Sequence, residues 1–479
     1  NGAASGISLN TTGSSGGLTV TGTGTTDGSG GTIQNTSGRG AAFISTAAIS
    51  LSNMNFTSAG TSDLDADNSG LSTGDNLATN AAIHLQTVTG ATLTNLNITG
   101  GAEQGINGNA VSNFALSNSS IVDVGNGPDE DGIHFFNMSG TSSITNNTFT
   151  CTVATHNTTG GDDHINLQMQ SGTLNLTISG GSANNANKGS GYLMGIRGTA
   201  SATVTVDGVT SDNNFSGGIV IDTFDTATSV IEIKNSSSIN NNDAISLSSN
   251  NGNTKFDIHD NVSFAGTDFV RINILKAAFS TTGTLEGKIR NNPIVVTDGQ
   301  AADGIIVAQR GDGTLTVSIT NNTFTYRGTQ RPINILGGQD GSGQLNATVT
   351  GNSIDMQLDG TGNAVTGIFA QTAVASPSGD NTNMCADIGG AGGLRNVFTH
   401  SMGGNMVAGE IRVRQRFVTT VTLPGYGGAN NDDAAVVTYL AGRNTLVNVP
   451  SATATNEVGV TVGAGGFVNA ASCPQPVFP

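Results

Sequence analysis

Two acidic stretches contain the residues best suited to catalysis. The first, PDEDGI, carries Asp129 and Asp131, and the second, TGGDDHINLQ, carries Asp162 and Asp163. An inverting glycosidase cleaves a sugar chain with one protonated carboxyl group and one ionised carboxylate placed on either side of the bond. Stacked carboxyl groups could reach those two states because like charges raise one pKa. These four aspartates are therefore candidate catalytic residues.

The same aspartates have a simpler interpretation as turn residues. Asp131 and Asp163 each stand two residues before a recurring isoleucine, and Asp243 and Asp303 take the same position further along the chain. An Asp at a turn commonly hydrogen-bonds to its own backbone. We therefore expect a structural role for these residues and keep catalysis as the alternative.

Two histidines near the aspartates suggest a metal pair at first sight. His134 follows its isoleucine directly, whereas His164 directly precedes the next one, so the two residues occupy different positions in the repeat. We therefore expect two surface histidines.

A separate acidic stretch resembles a calcium loop. Asp63, Asp65 and Asp67 alternate as in D-x-D-x-D loops, whose oxygen ligands suit Ca²⁺. Asn68 stands where such a loop has glycine, and Gly74 stands where it has a bidentate glutamate. The alternatives are a Ca²⁺ site at the three aspartates and a solvated acidic loop.

An internal repeat organises most of the chain. Short apolar stretches such as AIHLQ, GIHFF and RINIL recur at intervals of 23 to 35 residues, each with isoleucine in second place. Such periodicity is typical of stacked repeat architectures. The isoleucines are Ile83, Ile106, Ile133, Ile165, Ile196, Ile219, Ile245, Ile272, Ile305, Ile333 and Ile368.

A second motif, apolar-x-Asn-x-x-apolar, follows many of these isoleucines. Asn tolerates the left-handed backbone conformation, so its recurrence predicts a one-residue corner between two strands. Stacked corners would place the asparagine side chains in a hydrogen-bonded ladder. The predicted corner ladder comprises Asn53, Asn95, Asn118, Asn146, Asn291 and Asn321.

These patterns predict an all-β fold, a right-handed parallel β-helix of about a dozen coils spanning residues 1–371. Parallel coils stack at ~4.8 Å, and parallel crossovers are almost always right-handed. A β-propeller or β-sandwich would need hairpin signals, which the sequence lacks.

Residues 372–479 break the pattern and predict a capping segment. NNDDAAVVTYLAGRN (430–444) predicts one short helix, capped by Asn431 and ended at Gly442. Cys385 and Cys473 predict a disulfide in this segment, with Cys151 outside it.

The chain is acidic, with a formal net charge of −17. This charge disfavours nucleic acid and anionic membranes as partners. No apolar run approaches the roughly 18–20 residues of a membrane span. Low lysine content with abundant Asn, Thr and Gly favours an extracellular, bacterial cell-surface location.

Over roughly residues 40–420 the chain resembles the right-handed parallel β-helix proteins of the pectate-lyase-like superfamily. The stretches IRVRQRF, LPGYGG and NNDDAAVVTYLAGRN resemble the segment that closes the β-helix in very large secreted bacterial surface proteins. This resemblance implies a structural or adhesive rod that binds glycan or other surface proteins. The repeat-like sequence at the start of the chain predicts end-to-end association into filaments.

The alternative implied by the same superfamily is a polysaccharide-degrading enzyme, either a hydrolase or a lyase. PDEDGI and GDDHI are similar to the first two motifs of the polygalacturonase-type hydrolases. Tyr192 then stands where those enzymes carry a histidine, and the following coil has no RxK motif. By this resemblance, Arg197 is the candidate that would replace part of the missing basic group. These departures put a glycosidase site in doubt.

Overall fold

The computed structural model describes residues 2–62, 80–127, 130–152, 163–266, 270–276, 283–297, 300–338, 341–356, 366–373, 381–401, 409–447 and 458–478. The chain forms two compact units. The first comprises residues 1–221, 227–230 and 236–241, and the second comprises 222–226, 231–235 and 242–479.

The first unit consists of strands stacked coil upon coil. Consecutive coils pair in parallel throughout the strand pairings described for this unit. Its strands are Ile7–Gly13, Leu18–Val20, Gly31–Gln34, Ala41–Ser52, Met54–Thr57, Ala81–Thr94, Asn97–Thr99, Gln104–Asn109, Ser112–Ser117, Ser120–Val122, Ile133–Phe136, Gly140–Thr150, Ile165–Met169, Thr173–Asn184, Tyr192–Ile196, Ser201–Asp207, Thr210–Asp212 and Ser237–Ile239. Gly217–Phe224 and Thr228–Lys234 contribute residues to both units.

The parallel pairings described for the second unit fall into three sets of strands within one large sheet, and each set is called a sheet here. The first sheet contains Asp243–Asn250, Val270–Lys276, Asp303–Gln309, Ile333–Gly337, Ile368–Thr372, Ile411–Arg414 and Val458–Thr461. The second contains Asn253–His259, Thr284–Arg290, Thr314–Thr320, Gln344–Thr350, Asn383–Ile388, Val421–Pro424 and Phe467–Ala470. The third contains Ser263–Ala265, Pro293–Val296, Thr323–Tyr326, Ser353–Met356 and Val397–Thr399.

The repeat isoleucines stack on one another and form one column of the buried core. In the second unit, six isoleucines lie in register from coil to coil, and all six are fully buried. Side chains alternate between the two faces of a strand, so one face of each strand points to this core. The six are Ile245, Ile272, Ile305, Ile333, Ile368 and Ile411.

One position of the predicted repeat is wrong. Ile165 pairs in register with Tyr192, and Ile196 lies four residues further along the same strand. The buried Tyr192 ring takes the core position there, because an aromatic side chain can fill the space of an isoleucine.

Parallel pairing in successive coils confirms the predicted fold class, a parallel β-helix. The right-handed winding of the β-helix and its boundary at residue 371 stay predictions. Parallel pairing continues past that boundary, where Ile368–Thr372 pairs with Ile411–Arg414 and this strand pairs with Val458–Thr461.

The C-terminal part contains the α-helix Asp433–Arg443, here α1, and a short 3-10 helix, Gly392–Leu394. The cap of α1 is Asp432, whose side chain accepts a hydrogen bond from the Ala435 N–H, so the predicted Asn431 cap is wrong. The helix also runs through Gly442 and ends at Arg443. Among the described residues, no helix is long and apolar enough to span a bilayer.

A disulfide joins Cys385 and Cys473 and closes a loop of 88 residues. Beyond it, the last described residues run back along earlier coils of the second unit. The Gln475 side chain donates a hydrogen bond to Thr348, and the Val477 N–H donates one to Glu286. The disulfide and these two bonds attach the end of the chain to the coils.

Candidate functional site

The two candidate aspartates that the structure describes lie at the turn leading into neighbouring strands of the first unit. Asp131 comes two residues before strand Ile133–Phe136, and Asp163 comes two residues before Ile165–Met169. These strands pair in register, so the aspartates occupy adjacent coils. Both residues are buried, with 0% and 5% of their surface exposed.

Hydrogen bonds from each coil to the next connect these turns. The Gln104 side-chain oxygen accepts from the Asp131 N–H, and Asp131 Oδ1 accepts from the Asp163 N–H at 2.7 Å. Asp163 Oδ1 in turn accepts from the Ser190 N–H at 2.5 Å, and Ser190 Oγ accepts from the Gly217 N–H. Each side chain therefore satisfies a backbone donor on the following coil.

This arrangement corrects one detail of the turn prediction. The aspartates were expected to bond their own backbone, but a strand spacing of ~4.8 Å brings the next coil's N–H within reach instead. The second unit repeats the pattern, since Asp303 Oδ1 accepts from the Arg331 N–H at 2.9 Å. Burial raises the pKa of Asp303 to about 6, although the Asn334 amide and the Arg331 charge oppose the shift.

The prediction of two surface histidines is wrong, because both side chains are buried. His134 Nδ1 lies 2.9 Å from Asp131 Oδ2, and neither side chain has any exposed surface. His164 Nε2 lies 2.7 Å from the Asn184 carbonyl oxygen, so this nitrogen carries the proton. Burial lowers the pKa of His164 to about 4, which keeps the ring neutral near pH 7. The described residues contain no group of three or more metal-ligating side chains.

His134 belongs to a buried polar column that sequence reasoning missed. His84, Asn107, His134 and Asn166 lie in register on consecutive strands, on the face opposite the repeat isoleucines. All four are at most 5% exposed. Burial lowers the pKa of His84 to about 3, and the charge of Arg39 lowers it further. The alternation of His and Asn directly after each isoleucine was the sequence signal for this column.

The buried Asp131–His134 pair resembles a carboxylate that orients a histidine base. In this protein, however, Asp131 directs one carboxylate oxygen to the next coil and the other to His134. Because neither side chain reaches solvent, the geometry favours holding the coils together over transferring a proton to a substrate.

The remaining predicted site residues are only partly covered. Asp129 and Asp162, and the predicted calcium ligands Asp63, Asp65 and Asp67, lie outside the described residues. Arg197 directly follows strand Tyr192–Ile196, and its N–H donates to the Met169 carbonyl at 2.8 Å.

The six predicted corner asparagines all adopt the left-handed conformation, with φ between 51° and 58°. Two pairs of corner residues are also linked by their side chains. Asn95 donates to Asn53, and Asn291 donates to the Asp260 carboxylate. Four of the six predicted corner asparagines are exposed, whereas Asn53 is buried.

A longer asparagine ladder occupies the next position of the motif and lies inside the second unit. Each side-chain N–H donates to the side-chain oxygen of the asparagine on the following coil, at 2.9–3.1 Å, over five consecutive steps. All six residues are at most 5% exposed. The members are Asn261, Asn292, Asn322, Asn352, Asn396 and Asn444.

The same ladder also fixes the backbone. In its centre, Asn322 Nδ2 donates to the Ile289 carbonyl as well as to Asn352, and Asn322 Oδ1 accepts from both the N–H and the side chain of Asn292. In the first unit, Asn214 and Asn241 make equivalent bonds to backbone groups. The second asparagine of the motif is thus the stacking residue, and the first is the corner.

Comparisons with protein-family models, with curated proteins and with solved structures gave no match to this chain.

Proposed function

We propose that this chain is a non-catalytic, structural or adhesive β-helix of an extracellular bacterial surface protein. One observation carries the proposal: the two described candidate aspartates bind the backbone of the next coil and are buried. A catalytic carboxyl group must reach its substrate, whereas these groups satisfy backbone donors that would otherwise be unpaired.

The disulfide supports the location. Disulfides persist in oxidising compartments and are rare in the cytosol. Cys385 and Cys473 form one in the C-terminal part, and both residues are buried. An extracellular protein would keep this bond, which favours secretion or display at the cell surface.

The alternative function is a polysaccharide-degrading enzyme. It is favoured by the observation that Asp131 and Asp163 occupy adjacent coils, where two carboxyl groups could act on one glycosidic bond. Their burial and their bonds to backbone groups argue against it.

An activity screen distinguishes the two functions. The parent protein is incubated with acidic and neutral polysaccharides, with and without Ca²⁺, and new reducing ends and unsaturated products are measured. Two variants run alongside: Asp163→Ala, and Asp27→Ala as the control, because Asp27 is exposed. We expect no turnover by any of the three proteins. Turnover by the parent and Asp27→Ala that is lost in Asp163→Ala would establish the enzyme instead.

A further inference from the structure

Positive charge is scarce in this chain but is concentrated at one place in the second unit. The sequence has 17 Lys and Arg residues against 34 Asp and Glu. Three other arginines lie close enough to Arg414 for their charges to act on it. Burial lowers the pKa of Arg414, and the charges of Arg412, Arg416 and Arg331 lower it further. Repulsion within this cluster is a cost that the fold must offset.

Strand Ile411–Arg414 presents two of these arginines on one face. The alternate residues of the strand are fully buried in the core, so Arg412 and Arg414 project from the opposite face. Arg412 is in register with Phe369 on the preceding coil. The Arg331 guanidinium carbon lies 4.3 Å from the centre of the Phe369 ring, a cation–π distance.

The three arginines line one pocket. Arg331, Arg412 and Arg414 share it with Phe369 and with polar side chains, and its volume is about 130 Å³. Pockets for drug-sized ligands are typically 300–1,000 Å³. This pocket is therefore sized for one charged group of a ligand, with the rest of the ligand outside it.

Few acidic groups among the described residues offset the positive charge of the pocket, and one of them is Asp303, because the Arg331 charge acts on its carboxylate. Among the residues that the structure describes, Arg331, Arg412 and Arg414 form no ion pair. The neighbouring Glu410 is buried and already accepts from the Val447 N–H, and it lies 2.9 Å from His400 Nε2. The Arg414 Nε atom is buried with no hydrogen-bond acceptor among the described residues.

We propose that Arg331, Arg412 and Arg414 bind one oxyanion group of a ligand, a carboxylate, sulfate or phosphate. The guanidinium fork matches the paired oxygens of such groups and binds them with two parallel hydrogen bonds. The Phe369 ring holds the Arg331 guanidinium in place, which lowers the entropy lost when the anion binds. The site does not depend on the structural role proposed above. That role rests on Asp131 and Asp163 in the first unit, whereas the pocket arginines lie in the second unit.

The test measures binding of defined anions by isothermal titration calorimetry at constant ionic strength. The probes are inorganic sulfate, inorganic phosphate and D-glucuronate, with D-glucose as the uncharged probe. Stronger binding of glucuronate identifies a carboxylate ligand, and stronger binding of sulfate or phosphate identifies a tetrahedral one. Binding of none of the three anions at millimolar concentration would overturn the proposal.

Variants place the binding at the pocket. We expect Arg412→Gln/Arg414→Gln to bind the preferred anion at least about tenfold more weakly, because charge-assisted hydrogen bonds are the stronger ones. Arg310→Gln, elsewhere in the second unit, should bind like the parent. Circular dichroism checks the fold, and Arg331→Gln is the second variant if the double variant misfolds. Unchanged affinity in these pocket variants would show that the anion binds elsewhere.

Discussion

Replacing one residue of the internal asparagine ladder should have a large and local effect on stability. Asn322→Ala removes four hydrogen bonds at the centre of the ladder. The Asn292 N–H and the Ile289 carbonyl lose the side-chain partner that reaches them, whereas Asn352 still accepts from the backbone N–H of residue 322. Each unsatisfied buried group costs about 1–3 kcal/mol, so we expect a loss of about 2–6 kcal/mol in the free energy of unfolding.

The neighbouring residue provides a matched control. Asn321 is exposed and has φ of 56°, a conformation that glycine adopts without strain. Asn321→Gly should therefore change stability by only a few tenths of a kcal/mol. Urea unfolding followed by circular dichroism measures both variants, with the slope compared to confirm the same transition. If Asn322→Ala loses no more stability than Asn321→Gly, the ladder does not hold the coils together.

Three further predictions concern the disulfide and two buried titratable groups. Reducing Cys385–Cys473, which closes an 88-residue loop, should cost about 2–5 kcal/mol, and an unchanged urea midpoint under reducing conditions would contradict this. The unfolded chain takes up the His84 proton near pH 6.5 but the folded protein only near pH 3, so stability falls as the pH drops between these values. His84→Asn, which copies Asn107 of the next coil, should weaken this loss; equal acid sensitivity would refute it. Burial raises the pKa of Asp303 to about 6, so this residue stabilises the folded protein most below about pH 4. As the pH rises through 6, the free energy of unfolding should fall by up to ~3 kcal/mol. Asp303→Asn should not show this fall in urea unfolding.

Much of the fold could be predicted because the repeat isoleucines all have the same structural role, which is to stack in the core. An isoleucine that stacks on an isoleucine must recur at the same place in every coil, which made Ile133 and Ile165 visible in the sequence. The predicted register was wrong at Tyr192. The sequence pattern matched Ile165 to Ile196 because both are isoleucines, whereas in the structure the aromatic Tyr192 takes the core position next to Ile165.

The two asparagines of the motif show where sequence reasoning stops. Both asparagines occur in ITNNTF. The sequence pattern predicts a ladder of the first, left-handed asparagine, whereas in the structure the second asparagine forms the internal ladder. The left-handed corner at Asn321 turns the backbone so that the next side chain, Asn322, points inward. Which of two adjacent asparagines is buried depends on this backbone geometry, which composition does not reveal.

The buried histidines and the arginine pocket were missed for different reasons. His84 and His134 lie on the strand face opposite the repeat isoleucines, and alternation along the strand predicts that this face is exposed. Their burial depends on what packs over that face, which the pattern does not show. Arg331 and Arg412 are far apart in the sequence, and only the stacking of three successive coils brings them to the same pocket.

Hydrogen exchange at the Ser190 amide tests the central claim most directly. The Ser190 N–H donates to the buried Asp163 carboxylate, so it should exchange slowly in the parent protein. Asp163→Ala should speed exchange of peptides covering residues 189–196, whereas Asp27→Ala should leave them protected. Unchanged protection in Asp163→Ala would contradict the account, because Asp163 would then be available for a role other than stacking the coils.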